Sequence, residues 1–334
     1  MIKSSLSFIL GAGLLLSKSV ACGPFFIGPS LIEPRAVLGT PPVAFVDELS
    51  GITMLGEAPL GLPLNGAPGI RSTEPDLRYT NLPNSQVAAE CDQLDAYFVA
   101  KGLEVRERLA RIEDYRKIRM QSLSKLTSLS LNSVAYEGLV KAVPLLDERY
   151  PEEIRSYQAA VSALSAGKVE VARKGWTSIL EKPLGERKLR GAWAAWMLAK
   201  TSPDVDMALG WYLRVQQEVS VGCEDPCGLA PAAAAWRAPR LEDRREGIRL
   251  LFYAYLLGQD RAITDLRAFC QKAVYESDAS ELKQLAADPL ARQLINAELY
   301  TRFDDAIDNL SLDEKEIAWL AALENLGSAE IRRA

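Results

Sequence analysis

The chain has 334 residues, no histidine, a net charge of −5 and an isoelectric point near 5.2. Without histidine there is no Ser-His-Asp or Cys-His catalysis, no His-containing zinc site and no HExxH peptidase. Acidic balance and the absence of a Lys/Arg run argue against a nucleic-acid partner.

Met1-Ile2-Lys3 is a short basic start, Leu6 to Leu16 is apolar, and Ser19-Val20-Ala21 offers small residues for a signal peptidase. The expectation is a signal peptide over 1–21 and export. Cys22 follows and is the candidate lipidation site, which would anchor the protein to the outer membrane of the envelope. Ser19 stands where a lipobox has an aliphatic residue, so a plain secretory cut near the same place is the alternative. No later stretch approaches the roughly 20 apolar residues of a membrane span.

Residues 22–84 form a Pro/Gly-rich segment. Ten of the 18 prolines lie between Pro24 and Pro83, a density that forbids long helices. Yet Phe25-Phe26-Ile27, Val43-Ala44-Phe45-Val46 and Ile52-Thr53-Met54-Leu55 are too apolar to stay in water. They predict an extended strap lying on the body; a disordered tether is the alternative.

From 85 to 334 the pattern is helical. Tyr157, Ala160, Val161 and Leu164 share one helix face, stopped by Gly167. Val169, Ala172, Trp176, Ile179 and Leu180 make the next, ended by Pro183. Leu189, Ala192, Trp193, Trp196 and Met197 make a third. Ser202-Pro203 reads as N-cap and first helical residue, ahead of Val205, Ala208, Leu209 and Tyr212. Ile248, Leu251, Phe252, Tyr255 and Leu256 form a fifth face, stopped by Gly258, and Ala262, Leu266 and Cys270 a sixth. Asp288-Pro289 and the capping box Ser311-x-x-Glu314 start two more helices. No segment alternates as a strand does.

An Ala-x-x-x-large pattern repeats at Ala172/Trp176, Ala208/Tyr212 and Ala262/Leu266. The first interval is 36 residues; the second is 54, one such unit plus an 18-residue insert over the Cys223–Cys227 loop and the Ala-rich stretch after it. A period near 34 with small-then-large packing residues predicts an all-α fold, an α-solenoid of tetratricopeptide-like helical hairpins behind the N-terminal strap. An irregular helical bundle is the competing fold.

Ala21-Cys22-Gly23-Pro24-Phe25-Phe26 resembles the mature start of a group of exported bacterial proteins with helical repeats after a Pro-rich segment. Tyr150-Pro151 to Tyr157, Gly185-Glu186-Arg187, Gly191 to Leu198 and Gly228-Leu229-Ala230 are similar to that group as well. The resemblance spans most of 21–275. It implies architecture and export only, and it carries over no catalytic residue.

Cys223-Glu224-Asp225-Pro226-Cys227 is the sharpest local constellation. A local disulfide is the first reading; two free thiols, and a redox or metal pair, are the others. Most aromatics sit beside Ala at helical spacing and read as core. Trp211 and Trp236 flank the insert and are the candidate exposed, partner-binding residues. The acidic pairs Glu152-Glu153 and Asp304-Asp305 read as helix-end and solvated charges. No catalytic residue, metal ligand or cofactor is expected. The expected function is an exported, lipid-anchored scaffold that binds an envelope protein or peptide. A peptidoglycan-acting or glycan-binding helical superhelix is the alternative, for which Glu276-Ser277 is the one candidate dipeptide, and a small-ligand binder is a third.

Overall fold

The computed structural model describes residues 45, 49, 52, 58–62, 82–128, 144–303 and 314–324, with the side chains of 82–85, 123–128, 300–303 and 324 left aside. The expected signal peptide, Cys22 and the Ser311 cap lie outside these residues. Among the described residues the chain is all-helical and contains no strand.

The helices are α1 (Leu82–Ala100), α2 (Val105–Ser128), α3 (Glu152–Ser165), α4 (Val169–Leu180), α5 (Gly191–Lys200) and α6 (Val205–Ser220). They continue as α7 (Leu229–Arg237), α8 (Arg244–Leu256), α9 (Ala262–Glu276), α10 (Ala279–Ala287), α11 (Pro289–Phe303) and α12 (Glu314–Glu324). Each helix from α1 to α8 packs on the next in chain order. After α9 the order shifts: α9 packs on α11, and α10 on α12.

Local chemistry sets the ends. Gly167, at φ +75°, closes α3 with its N–H on the Leu164 carbonyl and that of Lys168 on the Ala163 carbonyl. Asp243, Asp278 and Asp288 cap α8, α10 and α11 by accepting backbone N–H groups of the first turns. Pro289 opens α11 at the position where its missing N–H costs nothing. The reading of Ser202-Pro203 as the start of α6 is corrected. Asp204 is the cap, accepting from the Met207 N–H at 2.8 Å, because its carboxylate reaches a first-turn donor.

The apolar faces close into three contiguous cores. Val87, Cys91, Leu94, Phe98 and Tyr115 join α1 and α2 to Tyr150 and Ile154. Tyr157, Val161, Ala172, Trp176, Trp193, Trp196 and Tyr212 form the second core across α3–α6. Ala172 and Trp176 are fully buried, which is what close helix approach at a small residue produces. Ala208 is only half-buried, so the repeat weakens at its second unit. The insert in that spacing contains a helix, α7, whose Ala230, Ala232, Ala233 and Ala234 are all buried.

The third core takes in residues from α7 to α12 together with Phe45, Leu49 and Leu62, all buried. Those three come from the Pro/Gly-rich segment, which at these positions is packed on the body. The Leu60 carbonyl accepts from Gln216 Nε2 of α6 at 3.0 Å, and the Arg267 guanidinium of α9 lies 5.7 Å from the Phe45 ring centre. Gly61, at φ +71°, runs so close to α6 that a Cβ there would sit 2.3 Å from the Gln216 carbonyl oxygen. Only glycine allows both that conformation and that approach.

Candidate functional site

The first polar constellation is closed. Glu90 on α1 is fully buried, and it occupies the apolar face marked by Val87, Cys91 and Leu94. Arg119 of α2 grips its two oxygens at 2.8 and 2.9 Å, Gln86 donates at 3.0 Å, and Tyr115 donates its hydroxyl proton. Arg190, just before α5, donates to the Tyr115 hydroxyl, to Gln93 Oε1 and to the Leu189 carbonyl. Burial alone would raise the Glu90 pKa, but the two guanidiniums override it and hold the carboxyl at about 2. Glu153 of α3 accepts the backbone N–H groups of Leu189 and Arg190 at 2.9 and 3.0 Å, fixing the entry to α5. The cluster joins α1, α2, α3 and α5, and no member of the Glu90–Arg119–Arg190 set faces solvent. It is built to hold helices together. Sequence periodicity did not reveal it, although one charged residue inside an apolar stripe was its signal.

The Cys223–Cys227 loop follows α6. Gln93 of α1 reaches across to Glu224 at 2.9 Å, docking the loop on the buried cluster. The expected Cys223–Cys227 disulfide is not formed: the four described cysteines are free thiols. The Cys223 thiol is aimed instead at Glu218 Oε2, 3.2 Å away. The bend between the two cysteines is used for another purpose. The Asp225 carboxylate accepts from the Leu229 and Ala230 N–H groups at 2.6 and 2.9 Å and so starts α7. Glu218, itself buried, is held by Arg187 at 2.7 Å and Arg214 at 2.6 Å. Gly191 makes room for this pair, since a Cβ there would lie 2.7 Å from Cys223 Sγ and 2.9 Å from Glu218 Oε2.

Burial pushes the thiols up: Cys91 to about 11 and both Cys223 and Cys227 to about 12, with Cys270 higher still. A thiol held protonated is a poor nucleophile and a poor metal ligand. Among the described residues no group of three or more Cys, Asp or Glu side chains is placed to hold a metal ion.

The two candidate tryptophans behave differently from the rest. Trp176, Trp193, Trp196 and Trp319 are buried to within 1 % of full burial, as the core reading requires. Trp211 is half-buried and lines a groove of about 450 Å³ between α4 and α6, with Leu180, Met207, Glu181, Arg214 and Gln217. Met207 is exposed on its rim. Trp236, on α7, is 38 % exposed, the one tryptophan among the described residues classed as a surface side chain.

Trp236 lies in a cationic and aromatic cluster. Tyr212 of α6 stacks on it with ring centres 6.1 Å apart and planes 12° from parallel, and meets Trp196 edge-on at 5.3 Å. Lys200 Nζ, at the end of α5, is 4.4 Å from the Trp236 ring centre and 5.2 Å from that of Trp196. The Arg240 guanidinium is 5.4 Å from the Trp236 ring and donates to the Trp236 carbonyl at 2.6 Å. Trp211 and Trp236 do not share one pocket: the groove between α4 and α6 has no contribution from α7.

No family model, curated protein or solved structure matches this chain. Among the described residues no helix is long and apolar enough to cross a membrane.

Proposed function

We propose that the protein is an exported scaffold of tetratricopeptide-like helical hairpins, anchored through a lipid on Cys22 and facing the periplasm from the outer membrane. There it binds an envelope protein or peptide. The observation that carries this reading is the contrast between its polar and aromatic clusters. The Glu90–Arg119–Arg190 and Cys223–Glu218 groups are buried and paired within the fold, whereas Trp211 and Trp236 stand at open surfaces of a body whose helices pack largely in chain order. Open aromatics beside arginine and methionine are the residues that anchor interfaces. Helical repeats packed in chain order can present a long binding face.

Placing a photo-cross-linking amino acid at Met207, on the rim of the Trp211 groove, tests the reading in intact envelopes. A discrete adduct that disappears with Trp211→Ala is expected, together with a mature chain that begins at Cys22 and carries an acyl mass. No adduct at Met207 or at a second position beside Trp236 would remove the binding proposal. Recovery of an intact Met1 would remove export. Retention on isolated peptidoglycan, lost with Trp211→Ala, would favour the glycan-binding alternative.

A further inference from the structure

Three arginines that are buried or nearly so are paired with buried carboxylates. Arg119 has Glu90, Arg187 has Glu218, and Arg267 has Glu298. Lys200 differs from these three. It is half-buried, its ammonium lies against the Trp196 and Trp236 rings, and no carboxylate among the described residues acts on it. Burial alone accounts for its pKa, which falls to about 8. Two indole faces offset part of the cost of desolvating an ammonium, but they do not neutralise it. Arg240 adds a second positive charge on the same ring. The cluster opens to solvent at Trp236.

Resting on the scaffold reading above, we infer that Trp236, Lys200 and Arg240 form a docking site for an acidic peptide segment. A side-chain Asp or Glu carboxylate pairs with Lys200, and an apolar neighbour in the peptide covers the Trp236 ring. The argument is charge complementarity. The site holds two positive side chains on one exposed indole, and no carboxylate among the described residues acts on the Lys200 ammonium. A carboxylate placed against a partly desolvated ammonium makes a charge-assisted bond in a medium of lower dielectric than water, where such bonds are strongest. The exposed indole beside it supplies the apolar anchor. Tyr212, stacked on Trp236, keeps that ring in a fixed orientation before the peptide arrives, which reduces the ordering cost of binding.

The test is selection of a random peptide library, displayed on phage, against the whole mature protein. A synthetic copy of the winning peptide is then titrated by fluorescence anisotropy. Enriched peptides should carry Asp or Glu beside an aliphatic or aromatic residue. Affinity should fall at least about tenfold in Lys200→Gln and in Trp236→Ala, weaken with added salt, and persist in Lys200→Arg. Leu109→Ala, at an exposed position of α2 away from both tryptophans, should bind as the parent does. Thermal unfolding of each variant separates lost binding from lost folding. The inference is overturned if nothing is enriched, if the winners lack acids, or if Lys200→Gln binds them equally well. It is also overturned if concentration-dependent dimers form through this face and vanish in Lys200→Gln, since a second copy would then be its occupant. Loss of binding in Trp211→Ala alone would sink this inference and leave the scaffold proposal standing.

Discussion

Replacing Glu90 by glutamine removes one charge from the buried cluster and leaves two guanidiniums, Arg119 and Arg190, facing a neutral amide. In the fold the Glu90 carboxyl sits at about 2 against an ordinary value of 4.5. That difference is worth about 3 kcal/mol at neutral pH. A buried ion pair broken by removing one partner costs about 3–5 kcal/mol, because the remaining charge is stranded. The two routes agree, so Glu90→Gln should cost about 3–5 kcal/mol of unfolding free energy at pH 7.

The pH dependence follows from the sign of the shift. The folded pKa lies below the unfolded one, so the stabilisation is complete above about pH 5 and is lost as pH falls from 4.5 through about 2. Urea unfolding of the parent and of Glu90→Gln, repeated from pH 7 down to pH 2.5, reads this directly. The gap between them should be widest at pH 7 and should narrow steadily below about pH 4.5. Pairing Glu90→Gln with Arg119→Met should recover part of the loss, since one stranded charge is then gone. A gap below about 1 kcal/mol at pH 7, or one that does not change with pH, would refute the account of the cluster as a desolvated ion-pair clamp.

Three further outcomes can be measured on the same protein. Gly61→Ala should release the packed segment from α6, because its Cβ would sit 2.3 Å from the Gln216 carbonyl at φ +71°; new proteolysis near residues 58–62 and faster hydrogen exchange in α6 and α9 would show it, and unchanged protection would contradict it. Gly191→Ala should cost about 1–3 kcal/mol by overpacking against Cys223 and Glu218, and Cys223→Ala in the same chain should return part of that. In a Cys22→Ser chain, the thiols of Cys91, Cys223, Cys227 and Cys270 should react with an aromatic disulfide reagent at pH 8 at least about a hundredfold slower than free cysteine and become fast on denaturation; rapid native reaction of Cys223 would break the assignment of its hydrogen bond to Glu218.

The helical body was legible because its signals are periodic and local. Tyr157, Ala160, Val161 and Leu164 fall on one face by spacing alone, and all four are buried. The Ala-beside-Trp pattern correctly marked Trp176, Trp193 and Trp196 as core rather than surface. Apolar clusters in a Pro-rich stretch marked Phe45 and Ile52 as residues needing a place to pack, and both pack on the third core. What escaped detection is non-local and polar. Glu90 meets Arg119 from 29 residues away and Arg190 from still farther, and periodicity does not report such a pairing. The two cysteines failed as a disulfide for a related reason. Their proximity in sequence says nothing of Glu218, which accepts the Cys223 thiol hydrogen bond, or of α7, whose first N–H groups bond to Asp225.

Gln216 connects these separate observations. Its amide nitrogen holds the Leu60 carbonyl of the packed N-terminal segment, and its amide oxygen accepts from Arg237 of α7. Arg237 directly follows Trp236 in the chain. The segment that runs over α6 therefore bears on the helix that presents the exposed indole, through one fully buried side chain. In a body where helices contact mainly their chain neighbours, such a strut supplies what consecutive packing does not: it ties residues near 60 to α7, more than 150 positions away. The orientation of Trp236 toward Lys200 thus rests on two supports, the Tyr212 stack from α6 and the Gln216 bridge to the N-terminal segment. A partner that bound at Trp236 would meet a surface set before it arrives.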